Sequence, residues 1–521
     1  MRACATLCKM SFTVRRLKEQ PKRTRALRWK AIALAMLGSI GSLASLYKHG
    51  TTKYQEHKCN LRRTMVLKRT LLVLIAVLCA LLLLAGTVGA LSTLRVISIN
   101  SFASLAGTPP ATDAQGYINL LLLGQGDEDH DGKDLTDTIM VASLDPEGSK
   151  SAVLLSLPRD LYFLRTEKMG KGRLNSLYRD YKSYLRFQQG MEEAQASQEA
   201  MREVAAEIGR QLHLEIHGTV KVDFIGFVEA VDVIGGIEIN VPYDIIDTEY
   251  PDENFGYQTF EILKGLRHID GETALKYARS RHTTSDFGRS ARQQQLLTAL
   301  GEKAQQEGLA TDPKKIMNLL GIMRENMETT LSVSELIGIA NAARDINRSN
   351  IITMQLNDRN ALYDGFIEPG GFLYTPPRDE FNGASVLLPV SIPEFPVTWK
   401  QLQTLVELLF RNREIYLAKP QFAILNASAP SGTARRLGNE LIRYGFSVPV
   451  IANAPIRNQN VSTISPRTEE DQPLAEFFGT LLNIDVVPLP PTIEGQTEQL
   501  TVILGSDWNF TPLQNLLSVR Q

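Results

Sequence analysis

Over residues 118–157 the apolar positions come in short blocks: INLLLLG (118–124), TIMVASL (138–144) and AVLLSL (152–157). Each block has strand length and is bounded by Gly, Pro or Asp. DPEGSK between the second and third is a turn signal, so those two form a hairpin. The runs are nearly continuous rather than alternating, which predicts a sheet covered on both faces. From about 190 to 212 the spacing becomes helical and charged. GTVKVDF, IGFVEAVDVIGG and IEINV then read as strand, helix stopped by Gly-Gly, and strand. Leucine-rich helices follow over about 289–307 and 313–345. This alternation predicts a layered α/β/α domain with a central mixed sheet over 116–395. A helical connector (396–420) leads to a smaller α/β domain (421–521), which opens with FAILNASAPSGTARRLGNELIRYGFSV and closes with LTVILG near 505; 454–473 reads as a polar loop.

One apolar run is too long for a strand. Residues 70–94 carry no charge, and ~20 apolar residues suffice to span a bilayer as helix. The basic flank LRRTMVLKRT places residues 1–69 in the cytoplasm and everything after Arg95 outside, beginning with a polar stalk over 95–115. VGALS offers a small-residue cleavage site, but the run exceeds the ~7–15 residues of a signal peptide, so a retained single-pass anchor in the cell membrane is expected. A second span at 31–47 would put loop 48–69 outside with seven Lys/Arg, against the positive-inside tendency. A translation start at Met65 gives a simpler arrangement, a compact basic lead before one anchor.

Composition narrows the function classes. An apolar content of 43% with 22% charged residues is globular, and 521 residues hold two or three domains. A formal charge of −1 argues against a general polyanion binder. No basic tract is interleaved with aromatics, and the bulk is expected outside the cell, so no nucleic-acid partner is expected. The four cysteines, Cys4, Cys8, Cys59 and Cys79, all precede residue 80, leaving no disulfide framework or thiolate metal site beyond it.

Against this near-neutral background Arg279, Arg281, Arg289 and Arg292 fall within fourteen positions. Residues 289, 292, 293, 296, 297 and 300 share one helical stripe, with Arg289, Arg292 and Gln293 at its head and three leucines below. The leucines require burial, which turns the arginines into a cleft at a helix N-terminus, a place where an external anion is stabilised. Arg279 and Arg281 are two apart and project together if the chain unwinds at about Ala278. Forked guanidinium donors suit phosphate oxygens. The bland alternative is pairing with Asp270, Glu272 and Asp286. Upstream, GQGDEDHDGKDLTDTIM (124–140) is an acidic loop leaving a strand, with the hard oxygen ligands that Mg2+ or Ca2+ takes. Asp127, Asp129 and Asp131 imitate an EF-hand opening, but Thr138 stands where its bidentate Glu belongs and a strand precedes it, so it is not one. Arg159, in LLSLPRD, emerges just past a buried strand. Carboxylates for a metal beside several arginines suit a pyrophosphate.

These segments, with LTDTIMVASLDP, VLLSLPRDLY, VDFIGFVEAVDVIGGIEINVP, GLRHIDGETALKYARSR and DFGRSARQQQLL, resemble the LytR-CpsA-Psr family of membrane-anchored cell-wall phosphotransferases. Residues 421–521 look like the LytR C-terminal domain. The resemblance implies an LCP-type enzyme that moves a glycopolymer, with one phosphate, from a polyprenyl-pyrophosphate carrier to peptidoglycan. By resemblance Arg159, Arg279, Arg281, Arg289 and Gln293, with Arg292 beside them, bind the pyrophosphate, and Asp137 is a carboxylate at Mg2+. The family usually has an Asp where this chain has Gly126, which leaves Asp127, Asp129 or Asp131 to complete the metal site, or His130 in another role. Asp137 and Asp160 are the candidate bases. The Leu296–Leu300 end of the stripe is placed either along a lipid tunnel or in the ordinary core. A polyprenyl-pyrophosphate phosphatase and a non-catalytic, membrane-anchored wall regulator are the alternatives.

Overall fold

The computed structural model describes residues 108, 110–126, 134–252, 256–280, 286–309, 312–356, 371–389, 397–488 and 497–518. The expected span 70–94, the candidate 31–47, Asp127, Asp129, Asp131, His130 and Arg281 lie outside them. Among the described residues no helix is long and apolar enough to cross a membrane.

The apolar blocks become β1 (Ile118–Gln125), β2 (Thr136–Asp145) and β3 (Ser151–Leu157). With β4 (Gly218–Val222), β5 (Met327–Thr329) and β6 (Ile351–Gln355) they form a six-stranded mixed sheet in the order β5-β4-β1-β2-β3-β6. β2 and β3 are the expected antiparallel hairpin, β1 pairs antiparallel with β2, and β4 and β6 add parallel to β1 and β3. Alternate side chains go to opposite faces. Leu121, Leu123, Val141 and Leu155 point to one layer, where α1 (Leu174–Phe187) and α2 (Glu193–Leu212) supply Leu177, Tyr178, Met201 and Ile208. Met140, Ala142 and Leu154 point to the other, against Leu297. Full burial of each such Leu, Ile, Val or Met side chain contributes ~1.5–3 kcal/mol.

The opposite layer is built from α3 (Phe224–Val233), α4 (Gly271–Arg279) and α5 (Asp286–Gln306). Asp223 caps α3 by accepting from the Gly226 N–H at 2.8 Å. The expected stop is Gly235-Gly236, at φ +80° and +82°, a region where a Cβ is strained. The strand after it, Ile237–Val241, leaves the central sheet and pairs with Gly265–Ile269. Between them Ile245–Pro251 and Tyr257–Ile262 form a further hairpin.

Two expectations change. The single helix over 313–345 is broken into Pro313–Ile322 and Val333–Ala343, because β5 inserts between them to complete the sheet edge. The polar loop over 454–473 contains a strand, Thr463–Pro466. The C-terminal sheet has five strands, centred on Gln421–Asn426 and Leu500–Leu504. One hydrophobic cluster runs from Leu121 and Leu155 through Leu405, Leu408 and Phe410 to Phe422, Leu441 and Leu504. The connector helices Lys400–Val406 and Arg413–Leu417 therefore belong to the core. Arg413 is fully buried there, donating to the Ser143 hydroxyl at 2.8 Å, its guanidinium 3.9 Å from the centre of the Tyr117 ring. Its desolvation is offset by those contacts, and the helical connector is riveted to the sheet.

Candidate functional site

Arg159 leaves the end of β3 through Pro158, and its Nη1 donates to Asp137 Oδ2 on β2 at 3.1 Å. Asn175 Nδ2, in the first turn of α1, donates to Asp137 Oδ1 at 3.2 Å. The Asp137 carboxylate is thus oriented from both oxygens, yet its side chain stays 41% exposed. Asp160 lies 3.8 Å from Arg159 Nε and accepts from Arg173 Nη1 at 3.3 Å. The Asn175 N–H donates to the Arg159 carbonyl at 3.1 Å, which ties the start of α1 to the arginine turn.

From the helical layer α4 ends at Arg279, and Ser280 already has extended dihedrals (φ −51°, ψ 133°), so the chain unwinds within two residues of the expected point. The Arg279 guanidinium stacks over Phe224, 4.3 Å from the ring centre, and lies 5.7 Å from that of Tyr250. Burial pushes the Tyr250 phenol up, while Arg279 beside it acts in the opposite direction. Arg289 is buried at the head of α5, and Gln293 follows one turn later. Arg159, Arg173, Arg279, Arg289 and Gln293 all line one cleft of about 520 Å³ with Asp137 and Glu249 in its walls. Gly124 admits the cleft at the end of β1: a Cβ there would meet the Thr138 Cβ at 3.0 Å.

Arg292 corrects the sequence expectation. It lies on the buried stripe but does not line the cleft. Its Nε donates to the Tyr277 carbonyl at 2.7 Å and its Nη2 to the Ser280 carbonyl. It therefore closes the C-terminus of α4, where cations are favoured, and aims its neighbour Arg279 instead of touching an anion. Burial lowers its affinity for the proton and raises that of Tyr277, to about 12.

The leucine stripe also borders a cavity. Leu296, Leu297 and Leu300 line an apolar cavity of about 270 Å³ with Leu122, Phe227 and Met323, between the sheet and α3, α4 and α5. It adjoins the cleft at Gly124, Thr138, Phe224, Arg279 and Gln293. An acyl chain in the cavity would leave its head group among the arginines.

Sequence reasoning missed Arg173, Asn175, Phe224, Tyr250 and Glu249. The signal for the first two was available: Leu174, Leu177, Tyr178, Tyr181 and Leu185 have helical spacing, which places Arg173 at the N-cap of α1. Tyr250 and Glu249 come from the Ile245–Pro251 hairpin, whose placement over the cleft has no local signature. For a cation, no cluster of three or more His, Cys, Asp or Glu side chains occurs among the described residues. The exposed Asp137 carboxylate beside the arginines of the cleft nevertheless fits Mg2+, which keeps several waters and takes one or two carboxylates plus phosphate oxygens.

Comparison with known proteins follows the same division. Residues 95–370 match the model of the LytR_cpsA_psr family, and residues 420–508 match that described as LytR cell envelope-related transcriptional attenuator. The chain is 29% identical over 253 residues to the polyisoprenyl-teichoic acid–peptidoglycan teichoic acid transferase TagV of Bacillus subtilis, covering 48% of this chain and 58% of that protein. It is 30% identical over 230 residues to the cell wall biosynthesis protein LcpA of Corynebacterium glutamicum, covering 41% of this chain and 42% of that protein. The matches thus span roughly half the length of these relatives. The crystal structure of B. subtilis TagV superposes with a TM-score of 0.40 at 23% identity, covering 57% of this chain and 97% of that one.

Proposed function

Since the chain belongs to the LytR_cpsA_psr family, we propose that it transfers a phosphate-linked glycopolymer from a polyprenyl-pyrophosphate carrier to peptidoglycan. The observation that carries this is the convergence of Arg159, Arg279, Arg289 and Gln293 on one cleft that opens into an apolar cavity. Lipid chain, diphosphate and glycan each have a place of matching chemistry. TagV, named as a teichoic acid transferase, supports the reaction class.

An acceptor hydroxyl attacks the sugar-side phosphorus in line. The bond from that phosphorus to the bridging oxygen breaks, and polyprenyl monophosphate leaves toward the apolar cavity. The hydroxyl proton passes to a carboxylate, Asp137 or Asp160. Guanidinium groups held in place beforehand neutralise the charge growing on the leaving phosphate, which is where phosphoryl transfer needs help. Arg173 and Arg159 orient Asp160 and Asp137, and Arg292 fixes the end of α4. Mg2+ would be held by Asp137, with Asp127, Asp129 or Asp131, and would supply further charge neutralisation at the diphosphate. The domain works outside the cytoplasm, tethered by the apolar segment 70–94 near the lipid it consumes.

The test is transfer of label from a lipid-diphosphate-linked glycan to peptidoglycan by the full chain in detergent with Mg2+. Label on the wall and release of lipid monophosphate are expected. Release of free phosphoglycan with none on the wall would point to the phosphatase instead, and binding without turnover to a regulator.

A further inference from the structure

Three cavities meet at Thr138 and Gln293. Two are the arginine cleft and the apolar cavity. The third, of about 230 Å³, shares Asp137, Arg159 and Arg289 with the cleft, so these side chains form the partition between them. Its remaining walls mix polar groups, from Ser156, Asp160, Ser290, Thr375 and Ser385, with the apolar side chains of Ile139, Leu157, Pro158 and Leu387.

The outer wall comes from residues 371–389, which follow the 95–370 matched by the family model. That wall is fastened to the arginine turn. The Leu387 N–H donates to the Asp160 carbonyl at 2.9 Å, and the Tyr162 N–H donates to the Leu387 carbonyl at 2.8 Å. Tyr162 and Phe381 meet edge to face at 5.0 Å between ring centres. Leu373–Tyr374 pairs with Leu388–Pro389, closing the segment into a hairpin-like flap. The segment is thus a fixed part of the site.

We propose that this chamber is the acceptor subsite: it receives the saccharide whose hydroxyl attacks, and residues Thr375 and Ser385 help to select it. The proposal rests on the transfer function given above. In-line displacement places nucleophile and leaving group on opposite sides of phosphorus. The lipid phosphate departs toward the apolar cavity, so the nucleophile must enter from elsewhere. The chamber reaches the same partition, and its hydroxyl, amide and carboxylate groups, set among a few apolar side chains, match the mixed polar and apolar faces of a sugar better than a prenyl chain. It also contains both carboxylates able to take the proton, Asp137 and Asp160. The oxygen–phosphorus bond to the acceptor forms there as the bond to lipid phosphate breaks.

The experiment compares two acceptors, water and soluble uncrosslinked peptidoglycan strands, using the full chain in detergent with a short-chain lipid-diphosphate disaccharide. Ser385→Leu and the isosteric Thr375→Val are measured, with Ser385→Ala as a milder variant should Ser385→Leu fail to fold. The ratio of transfer to hydrolysis is expected to fall about tenfold, a decade of differential binding, with acceptor KM rising much more than donor KM. Ser385→Ala moves the ratio in the same direction by about threefold. A parent that cleaves and transfers, with variants that keep its ratio or lose donor KM equally, overturns the acceptor assignment alone. A parent that cleaves no lipid diphosphate overturns the transfer function beneath it.

Discussion

Removing the guanidinium of Arg279 tests the cleft most directly. Stacking on Phe224 and Tyr250 holds that group before any substrate arrives, and its place at the last turn of α4 suits a cation. At an effective dielectric of ~20, two unit charges ~4 Å apart interact by ~4 kcal/mol. A part of this, roughly a quarter to a half, already acts in the bound state, because the diphosphate is anionic from the outset. Only charge that accumulates on the departing phosphate lowers the barrier. Counting roughly half to three-quarters of the interaction gives ~2–3 kcal/mol, a rate loss of ~30–150-fold for Arg279→Ala. Arg279→Lys keeps the charge and loses the fork and the stack, with ~10-fold expected. Phe224→Leu keeps the guanidinium and loosens it by ~0.5–1 kcal/mol, or ~2–5-fold. The assay is release of lipid monophosphate by the full chain, with a melting curve for each variant. Arg279→Ala within twofold of the parent, at an unchanged melting temperature, would refute the reasoning.

Leu297→Trp should fill part of the apolar cavity, raising KM for a long-chain carrier several-fold more than for a short-chain one; equal effects on both would separate cavity from lipid. Arg292→Met should leave two buried carbonyl oxygens without their donors at a cost of ~2–4 kcal/mol, read as a lower urea midpoint. Asp270 caps α4 by accepting from the Thr273 N–H at 2.9 Å, so Asp270→Ala should cost ~1 kcal/mol. Hydrogen bonds from Thr273 hold the Asp270 carboxyl below its ordinary value of 3.8. Its charge-dependent contribution is therefore complete above that pH and lost as pH falls through the lowered value. Chemical denaturation from pH 5 down to 2 should show this acid step in the parent and a smaller one in Asp270→Asn.

What the sequence disclosed depended on how locally each feature is determined. The three buried strands, the Gly-Gly stop and the arginine-to-leucine stripe all follow from spacing along the chain, and the structure has them. Arg292 misled because a helical stripe fixes a face and not a partner: at 292 the nearest acceptors are the carbonyls ending α4, while at 289 the cleft is open. β5 was hidden for a different reason. Three residues, Met327–Thr329, are strand only because β4 offers an unpaired edge beside them. Arg173 and Tyr250 reach the cleft through tertiary packing of a helix start and a hairpin. The chamber behind Arg159 was illegible throughout, since its outer wall lies far along the chain from that residue.

The continuity of the hydrophobic cluster across the connector has an evolutionary side. A terminal appendage on a flexible tether can be gained, lost or exchanged with little consequence for its neighbour. Here a recombination point near residue 420 would strip partners from Leu405, Leu408 and Phe410 and lay greasy surface bare beside the sheet that carries Asp137 and Arg159. Separating the two portions would therefore require resurfacing the first.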